Sequence, residues 1–479
     1  GDRRGCARKH LGFLPQDQAY RVWGLLFDPE RPVVTYPRAT SPMAAPLYYA
    51  LVCGLERTAV LLLEEGVDIH AQGGEYGNAL QAASIHGYEN IVRLLLERGA
   101  DVNAQCGYYG NALQAASAKG HTGIARLLLE AGANINLRNH LYGTPLQAAT
   151  RGDHLEVVKL LLENGADANV EGSIYYATPL LAACYNGDRE MVQLLLERSV
   201  DVNAQDHADN PLLAASARGN VDIVQLLLDE GADVNVQNGE YGNALQAASH
   251  NNHKEVVQLL LERGAAVNAR GGKYGTALQA ASCEGHEEIL QLLLEGGADV
   301  NALGGEYGGA LQAASLRCHK EIVLLLLEKG ADVNATGKEY GNALHAAARG
   351  GDKTIVQLLL ERGADVNSQG GVYGNALQAA SYEGHKEIVQ LLIEKGAEIN
   401  AQCGEYGTAL QAACHQGAKE IVQLLLQRGA DVNTQDGKLG NALQAASSRG
   451  HKDIAQILIE RGTDVNAHGG WYDNALSAA

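Results

Sequence analysis

The chain has 479 residues, of which 46% are hydrophobic, 19% charged and 5% aromatic, and its formal net charge is −19. This composition excludes an intrinsically disordered chain, and the negative charge disfavours a nucleic acid partner, whose phosphates would be repelled. Because aromatic residues are scarce, we expect a thin architecture packed by leucine and alanine. No apolar run approaches the roughly 18 residues that a membrane span needs, so we predict no membrane partner.

The first 40 residues differ from the rest of the chain. They carry seven Lys/Arg against four Asp/Glu, and six of the nine prolines lie within the first 46 residues. Apolar residues between Leu11 and Phe27 are suited to cover the end of a following array. We therefore predict a capping segment and linker over residues 1–40 and a separate repeat domain over 41–479.

An internal repeat dominates this second region. GEYGNALQAAS at 74–84 appears again, letter for letter, at 239–249, and equivalent leucines recur every 33 residues from Leu47 to Leu476, apart from one spacing of 34 and one of 32 around Leu180. A fixed period of this length predicts a solenoid in which each repeat packs on its neighbours. We count thirteen full repeats and a truncated fourteenth. Since the chain starts at Gly1 and stops inside a repeat, we expect a fragment of a longer protein.

One repeat, residues 78–110, shows the expected elements. Asn78 is a good N-cap for a short helix that ends at Gly87. A second helix is predicted from about Glu89 to Arg98, where apolar residues lie on nearly every side and would need cover on several faces. Gly99 then ends this helix, and a glycine-rich extended segment leads to the next repeat.

The motif Thr144-Pro145-Leu146-Gln147-Ala148-Ala149, with VVKLLLENGAD at 157–167, resembles an ankyrin repeat. The resemblance covers residues 42–479. It implies an all-α repeat solenoid of 33-residue helix-turn-helix units, with β-hairpin-like fingers and a concave face that binds proteins. It also implies no catalytic activity and no cofactor. The lead-in at 23–32 and 46–50 resembles the segment before the ankyrin arrays of fungal NACHT proteins, which are NLR-like immune receptors.

Three short motifs resemble parts of known chemical sites. The stretch GGEYG before a helix is the kind of loop that can cradle a phosphate, but it lacks GxxxxGK[ST] and recurs in many repeats, which favours a turn. His286-Glu287 begins an HExxH motif without the second histidine, and Cys414 beside His415 is an ordinary neighbour pair. We therefore predict neither an enzyme nor a small-molecule substrate. The eight cysteines form no CxxC pair, which disfavours zinc and favours reduced thiols in the cytoplasm.

Two recurring side chains are predicted to be structural. A tyrosine lies four residues before most marker leucines, and we expect these rings to stack along the fingers. A histidine recurs at the turn between the helices, and we expect it to be hydrogen-bonded.

Recognition is predicted at positions that vary between repeats. One variable place is the end of the first helix, and the other is the finger tip. The candidate residues are His86, Lys119, Arg151, Tyr185, Arg218, His250, Glu284, Arg317, Arg349, Tyr382, His415 and Arg449 at the helix ends, and Tyr108, Tyr175 and Trp471 at the tips. Basic residues outnumber acidic ones at the helix ends. They either form a floor for an acidic or polar protein segment or simply suit the negative end of the helix dipole.

These observations predict a protein–protein interaction array. The resemblance implies the ligand-sensing or regulatory arm of a fungal NLR-like receptor that binds a protein through its concave face and fingers. The alternative is a stand-alone intracellular adaptor or scaffold.

Overall fold

The computed structural model describes residues 45–170, 178–205, 209–435, 437–471 and 474–478. The predicted capping segment 1–40 and the candidate Tyr175 lie outside these residues. The described chain forms two compact units. The first unit runs to Pro211 and takes in Asp229–Ala232; the second unit comprises Leu212–Leu228 and the chain from Asp233.

Over the part of the chain that the structure describes, helices occur in pairs, one pair per repeat, apart from the single last helix. Up to residue 229 they are α1 Pro46–Val52, α2 Glu56–Glu64, α3 Ala79–His86, α4 Glu89–Glu97, α5 Ala112–Ala118, α6 Thr122–Glu130, α7 Pro145–Arg151, α8 Leu155–Glu163, α9 Pro179–Asn186, α10 Arg189–Leu196, α11 Pro211–Arg218 and α12 Val221–Asp229. Next come α13 Ala244–His250, α14 Lys254–Glu262, α15 Ala277–Glu284, α16 Glu287–Glu295, β1 Leu303–Gly304, β2 Gly308–Gly309, α17 Ala310–Leu316 and α18 Lys320–Glu328. The last are α19 Ala343–Gly350, α20 Lys353–Glu361, α21 Ala376–Glu383, α22 Lys386–Glu394, α23 Ala409–Gln416, α24 Lys419–Gln427, α25 Ala442–Ser447, α26 Lys452–Glu460 and α27 Ala475–Ala478.

The caps of the second described repeat explain its helix ends. Asn78 accepts a hydrogen bond from the Gln81 N–H at 2.9 Å, which starts α3, and Gly87 ends α3 in the left-handed conformation with φ 79°. Helix α4 ends at Glu97, one residue before the predicted end. Gly99, with φ 83°, follows it. The predicted helix-turn-helix repeat is confirmed.

The two helices of a repeat are buried differently. In α3 every residue from Ala79 to Ile85 is buried, because α3 packs on α1, α4 and α5. In α4 only Ile91, Val92 and Leu95 are buried. Helix α4 nevertheless packs on α2, α3 and α6, so it is covered on several faces, as predicted. Its remaining leucines, Leu94 and Leu96, are half-buried.

The segments between repeats form the predicted hairpin-like fingers. Strands β1 and β2 pair antiparallel, with Leu303 opposite Gly309 and Gly304 opposite Gly308. Other fingers are closed by single antiparallel bridges, for example between Cys106 and Gly110.

Backbone hydrogen bonds join the tips of neighbouring fingers, and we call this series the finger-tip ladder. In each case the tip N–H donates to the tip carbonyl of the preceding finger. The bonds are Tyr108 to Glu75 at 2.7 Å, Lys273 to Glu240 at 2.8 Å, Glu306 to Lys273 at 2.8 Å, Val372 to Glu339 at 3.0 Å, Glu405 to Val372 at 2.9 Å, Lys438 to Glu405 at 3.0 Å and Trp471 to Lys438 at 2.9 Å. The fingers thus stack closely along each unit.

A glycine before the tip permits this close stacking. Gly107 has φ 65°, and a Cβ there would lie 2.2 Å from the carbonyl carbon of Tyr76. Among the fingers that the structure describes, His140 and Lys338 replace this glycine, and neither has a positive φ. The N–H of Leu141, the tip after His140, instead donates to its own finger's Asn139 Oδ1 at 2.6 Å. The recurring glycines therefore shape the fingers and their stacking.

Three side-chain ladders also connect neighbouring repeats. Gln81 Nε2 donates to the carbonyls of Cys106 and Gly110, both at 2.8 Å, inside the next finger. The histidine of the helix–helix turn bonds a carbonyl 36 residues earlier, as His121 Nε2 does to Ile85 at 3.0 Å. The same bond recurs for His154, His253, His286, His319, His385 and His451. The prediction that these histidines are structural is confirmed.

An asparagine near the end of most repeats forms the third ladder. Asn103 Nδ2 donates to the Gly132 carbonyl at 3.1 Å, and its Oδ1 accepts from the Asn134 N–H at 2.7 Å. Because these groups recur at the repeat period, the scaffold occupies the constant positions and leaves the variable ones free for other roles.

Candidate protein-interaction surface

The fingers fold back so that their tyrosines lie against the ends of the first helices. Ring centres are 5.5 Å apart for Tyr76 and His86 and 5.4 Å apart for Tyr241 and His250. The two partners are nine or ten residues apart and belong to one repeat. In the sequence the tyrosines and the helix ends are separate features, but the structure brings them together into one surface.

The tyrosines themselves stack, as predicted. In the second unit, Tyr241, Tyr274, Tyr307 and Tyr340 follow one another with ring centres 6.4, 6.4 and 5.8 Å apart and ring planes within 17° of parallel. Such pairs each contribute about 1 kcal/mol beyond the area they bury. These rings form the wall beside the helix ends.

In the first unit the surface is basic and aromatic, and we call it the first-unit surface. It consists of Tyr76, His86, Tyr108, Lys119, Tyr142 and Arg151. The Arg151 guanidinium lies 5.2 Å from the centre of the Tyr142 ring, and the Tyr108 ring lies 5.4 Å from the same ring. Tyr108 is 38% exposed, and Lys119 is exposed. No helix-end candidate of this unit is a carboxylate.

Burial keeps several groups of this surface uncharged. Burial lowers the pKa of His86, and nearby His121 and Lys119 lower it further. Its Nε2 is buried and has no hydrogen-bond partner within the described part of the chain. Burial also raises the pKa of Tyr142. At neutral pH the surface thus offers uncharged polar groups beside the two cations.

The corresponding residues of the second unit lie beside carboxylates of neighbouring repeats, and we call them the second-unit surface. It consists of His250, Glu284, Arg317, Arg349, Tyr373 and Glu383. Glu284 Oε1 lies 3.7 Å from both His250 Nδ1 and Arg317 Nη2, and Arg349 Nε lies 3.3 Å from Glu383 Oε1. Each of these pairs connects neighbouring repeats. Arg317 and Arg349 are therefore engaged with this chain's own carboxylates, whereas burial lowers the pKa of His250 and favours its neutral form.

Arg349 is the most constrained of these cations. Its guanidinium carbon lies 5.0 Å from the Tyr340 ring centre and 5.2 Å from the Tyr373 ring centre, so it occupies the place between two ladder tyrosines. The Tyr373 hydroxyl donates to Glu383 at 3.2 Å. Burial opposes the charge of Arg349, yet the two tyrosines and Glu383 raise its pKa. Arg349 therefore contributes to the fold as well as to the surface.

The other candidates occupy varied surroundings. Tyr382 packs on Tyr406 with ring centres 4.4 Å apart, and Arg449 Nη2 lies 3.2 Å from His415 Nε2. The Tyr185 hydroxyl donates to Asp209. Two further candidates, Arg218 and Trp471, are exposed.

The described ranges contain neither a cluster of metal ligands nor a membrane-spanning helix. Within them, no three His, Cys, Asp or Glu side chains come together as a metal site, and no helix has the length and apolarity to cross a membrane. Cys414, considered above as a neighbour of His415, is completely buried, and burial raises its pKa. A buried, protonated thiol is a poor nucleophile.

The comparison with protein-family models agrees with this fold. A family model described as "Ankyrin repeats (3 copies)" matches overlapping segments that together cover residues 47–304 and 310–468. The chain is 47% identical over 61 residues to the azaphilone pigments biosynthesis cluster protein L of Monascus ruber; the match covers 11% of this chain and 13% of that protein. Among solved structures, the human ASB11 ankyrin repeat domain matches with 30% identity and a TM-score of 0.42, over 46% of this chain and 99% of that domain.

Ankyrin repeats are typically non-catalytic modules with a role in protein–protein interaction. The helix pairs, the fingers and the family match over most of the chain lead to one conclusion: this chain belongs to the ankyrin repeat family.

Proposed function

We propose that the chain binds a protein partner through the surface formed by its first-helix ends and finger tips. The observation that supports this proposal is the difference between the constant and the variable positions of a repeat. Constant glutamine, histidine, asparagine and glycine groups connect the repeats, whereas the helix ends vary and hold exposed cations and rings such as Lys119 and Tyr108. Tyrosine and arginine are well suited to anchor protein interfaces.

A photo-crosslinking experiment tests this proposal. A photoreactive amino acid is placed at Lys119 or Gln416 on helix ends, and in matched variants at Glu97 or Glu262, which are exposed on second helices. The variants are incubated with extract of the source cells and irradiated. We expect a protein adduct from the helix-end positions alone. Adducts that form only from the second-helix positions would contradict the proposal.

The wider role that we propose is the ligand-sensing arm of an intracellular NLR-like receptor. What supports it is the resemblance of residues 23–32 and 46–50 to the segment that precedes such arrays. A stand-alone adaptor or scaffold accounts for the array equally well. Sequencing the transcript upstream of Gly1 separates the two: an NTPase domain with a Walker A motif supports the receptor arm, and a nearby start codon supports the adaptor.

A further inference from the structure

The asparagine ladder is interrupted in the first described repeat. Ladder asparagines such as Asn103 and Asn268 bond the next repeat in one way: Nδ2 donates to a glycine carbonyl, and Oδ1 accepts the backbone N–H two residues later. His70 occupies this position, 33 residues before Asn103. The backbone there keeps the ladder conformation, because the His70 N–H donates to Asp68 Oδ1 at 2.9 Å. The matching bond of the Asn103 N–H is 3.0 Å long, so only the side chain differs.

The two backbone groups that a ladder asparagine would bond remain opposite His70. The repeat period identifies them as the Gly99 carbonyl and the Asp101 N–H. Within the described chain neither group forms a hydrogen bond, and the His70 ring bonds neither of them. The asparagine carboxamide presents a donor and an acceptor together at its tip, and the imidazole does not reproduce this pair here. The first repeat therefore lacks one carboxamide that the rest of the ladder contains.

A cavity of about 190 Å³ lies at this interruption. His70, Asn78, Asp101 and the apolar side chains of Ile69 and Leu80 are part of its lining. Asn78 is only 6% exposed; its Oδ1 caps α3, and no bond within the described residues engages its Nδ2. Hydrogen-bonding groups and an apolar wall thus surround one small space, which is the usual composition of a ligand site.

We infer that this cavity binds a primary carboxamide, whose NH₂ donates to the Gly99 carbonyl and whose oxygen accepts from the Asp101 N–H. The ligand then takes the place of the missing ladder asparagine. Two sources supply this group: the side chain of asparagine or glutamine in a protein segment, and a small amide. The site goes beyond the proposed function, because its residues belong neither to the helix ends nor to the finger tips.

The same groups discriminate against a carboxylate of equal shape. A carboxylate accepts hydrogen bonds but cannot donate to the Gly99 carbonyl, and the exposed Asp101 side chain repels it. Gly99 and Asp101 are exposed, so water hydrates them before binding, and the affinity depends largely on burying the ligand against Ile69 and Leu80. We therefore expect a small amide to bind with a dissociation constant on the order of millimolar.

Saturation-transfer difference NMR with the full chain tests the inference. The probes are propanamide and propanoate, and a blocked tripeptide with a central asparagine beside its aspartate counterpart. We expect each amide to bind at least about fivefold more tightly than its acid, because the acid leaves a site group unpaired. Tighter binding of the asparagine peptide than of propanamide assigns the group to a protein side chain, and the reverse order assigns it to a small amide.

His70→Asn is the decisive variant, because it should restore the ladder bonds and fill the cavity. It should lose propanamide binding, while thermal unfolding shows that it is at least as stable as the original chain. His140→Asn is the matched control: it makes the same change at another exposed histidine of the unit, outside the cavity, and should leave binding unchanged.

Three results would overturn the inference: no propanamide signal, equal binding of amides and acids, or undiminished propanamide binding by His70→Asn. Helix-end crosslinking does not depend on any of them, so the proposed function is tested separately.

Discussion

The first-unit and second-unit surfaces are built from equivalent positions but use their charges differently. In the second unit, Glu284 and Glu383 occupy helix ends and neutralise the cations of adjacent repeats. In the first unit the same positions hold residues such as Lys119, Gly152 and Asn186, so no carboxylate is supplied by the helix ends. One scaffold therefore gives two kinds of surface, depending on the residue that each repeat places at the end of its first helix.

The largest loss of stability is expected at the finger glycine, which both units need for close stacking of their fingers. Gly107→Ala in the first unit and Gly272→Ala in the second place a Cβ 2.2 and 2.3 Å from the backbone of the preceding finger, at positive φ. Each substitution should lower stability by about 2–3 kcal/mol because the fingers must separate. Thermal unfolding measures the loss.

Gly99→Ala is the control, since Gly99 has φ 83° with nothing near its Cβ position, and it should cost only about 1 kcal/mol. If Gly107→Ala costs no more than Gly99→Ala, close finger stacking does not stabilise the array.

A smaller effect should distinguish the two surfaces. Arg349→Met removes a cation held between two tyrosine rings and paired with Glu383, and it should cost about 1–2 kcal/mol. Lys119→Met, at the exposed end of α5, should change stability by less than about 0.5 kcal/mol. Urea unfolding of both variants gives the comparison. Equal losses of unfolding free energy would mean that the contacts of Arg349 contribute no more to stability than those of Lys119.

The smallest effect depends on pH and belongs to the second unit. His345 replaces the ladder glutamine; its Nδ1 accepts from the Asn342 N–H and its Nε2 donates to the Ser368 carbonyl, so the ring is neutral. Burial lowers its pKa below the ordinary value of 6.5. When the pH falls below that value, the unfolded chain takes up a proton that the folded chain resists, and stability is lost.

Substitution with the residue used elsewhere in the ladder tests this point. His345→Gln should reduce the fall in Tm between about pH 7.5 and pH 5.5, where an ordinary histidine titrates. Gln246→Ala serves as a control, since it removes a ladder side chain that does not titrate. An unchanged pH dependence in His345→Gln would show that His345 does not contribute.

The sequence alone predicts the scaffold well. Local sequence features that recur from repeat to repeat predict the period, the Asn78 cap, the turn histidines and the stacked tyrosines. The ion pairs could not be predicted, because Glu284 contacts residues in both adjacent repeats and the choice depends on how far apart the repeats lie. Recurrence showed that the finger glycines shape a turn, but their contact with the preceding backbone appears only when fingers are stacked.

The interruptions of the finger-tip ladder have a mechanical consequence. Each unit has one described place, before Leu141 and before Glu339, where neighbouring tips lack the backbone hydrogen bond found elsewhere. When a unit is pulled along its length, the repeats should separate first at these weaker junctions. His140 and Lys338 would then determine where each unit first separates under tension. The repeats on either side of each of these junctions would stay stacked.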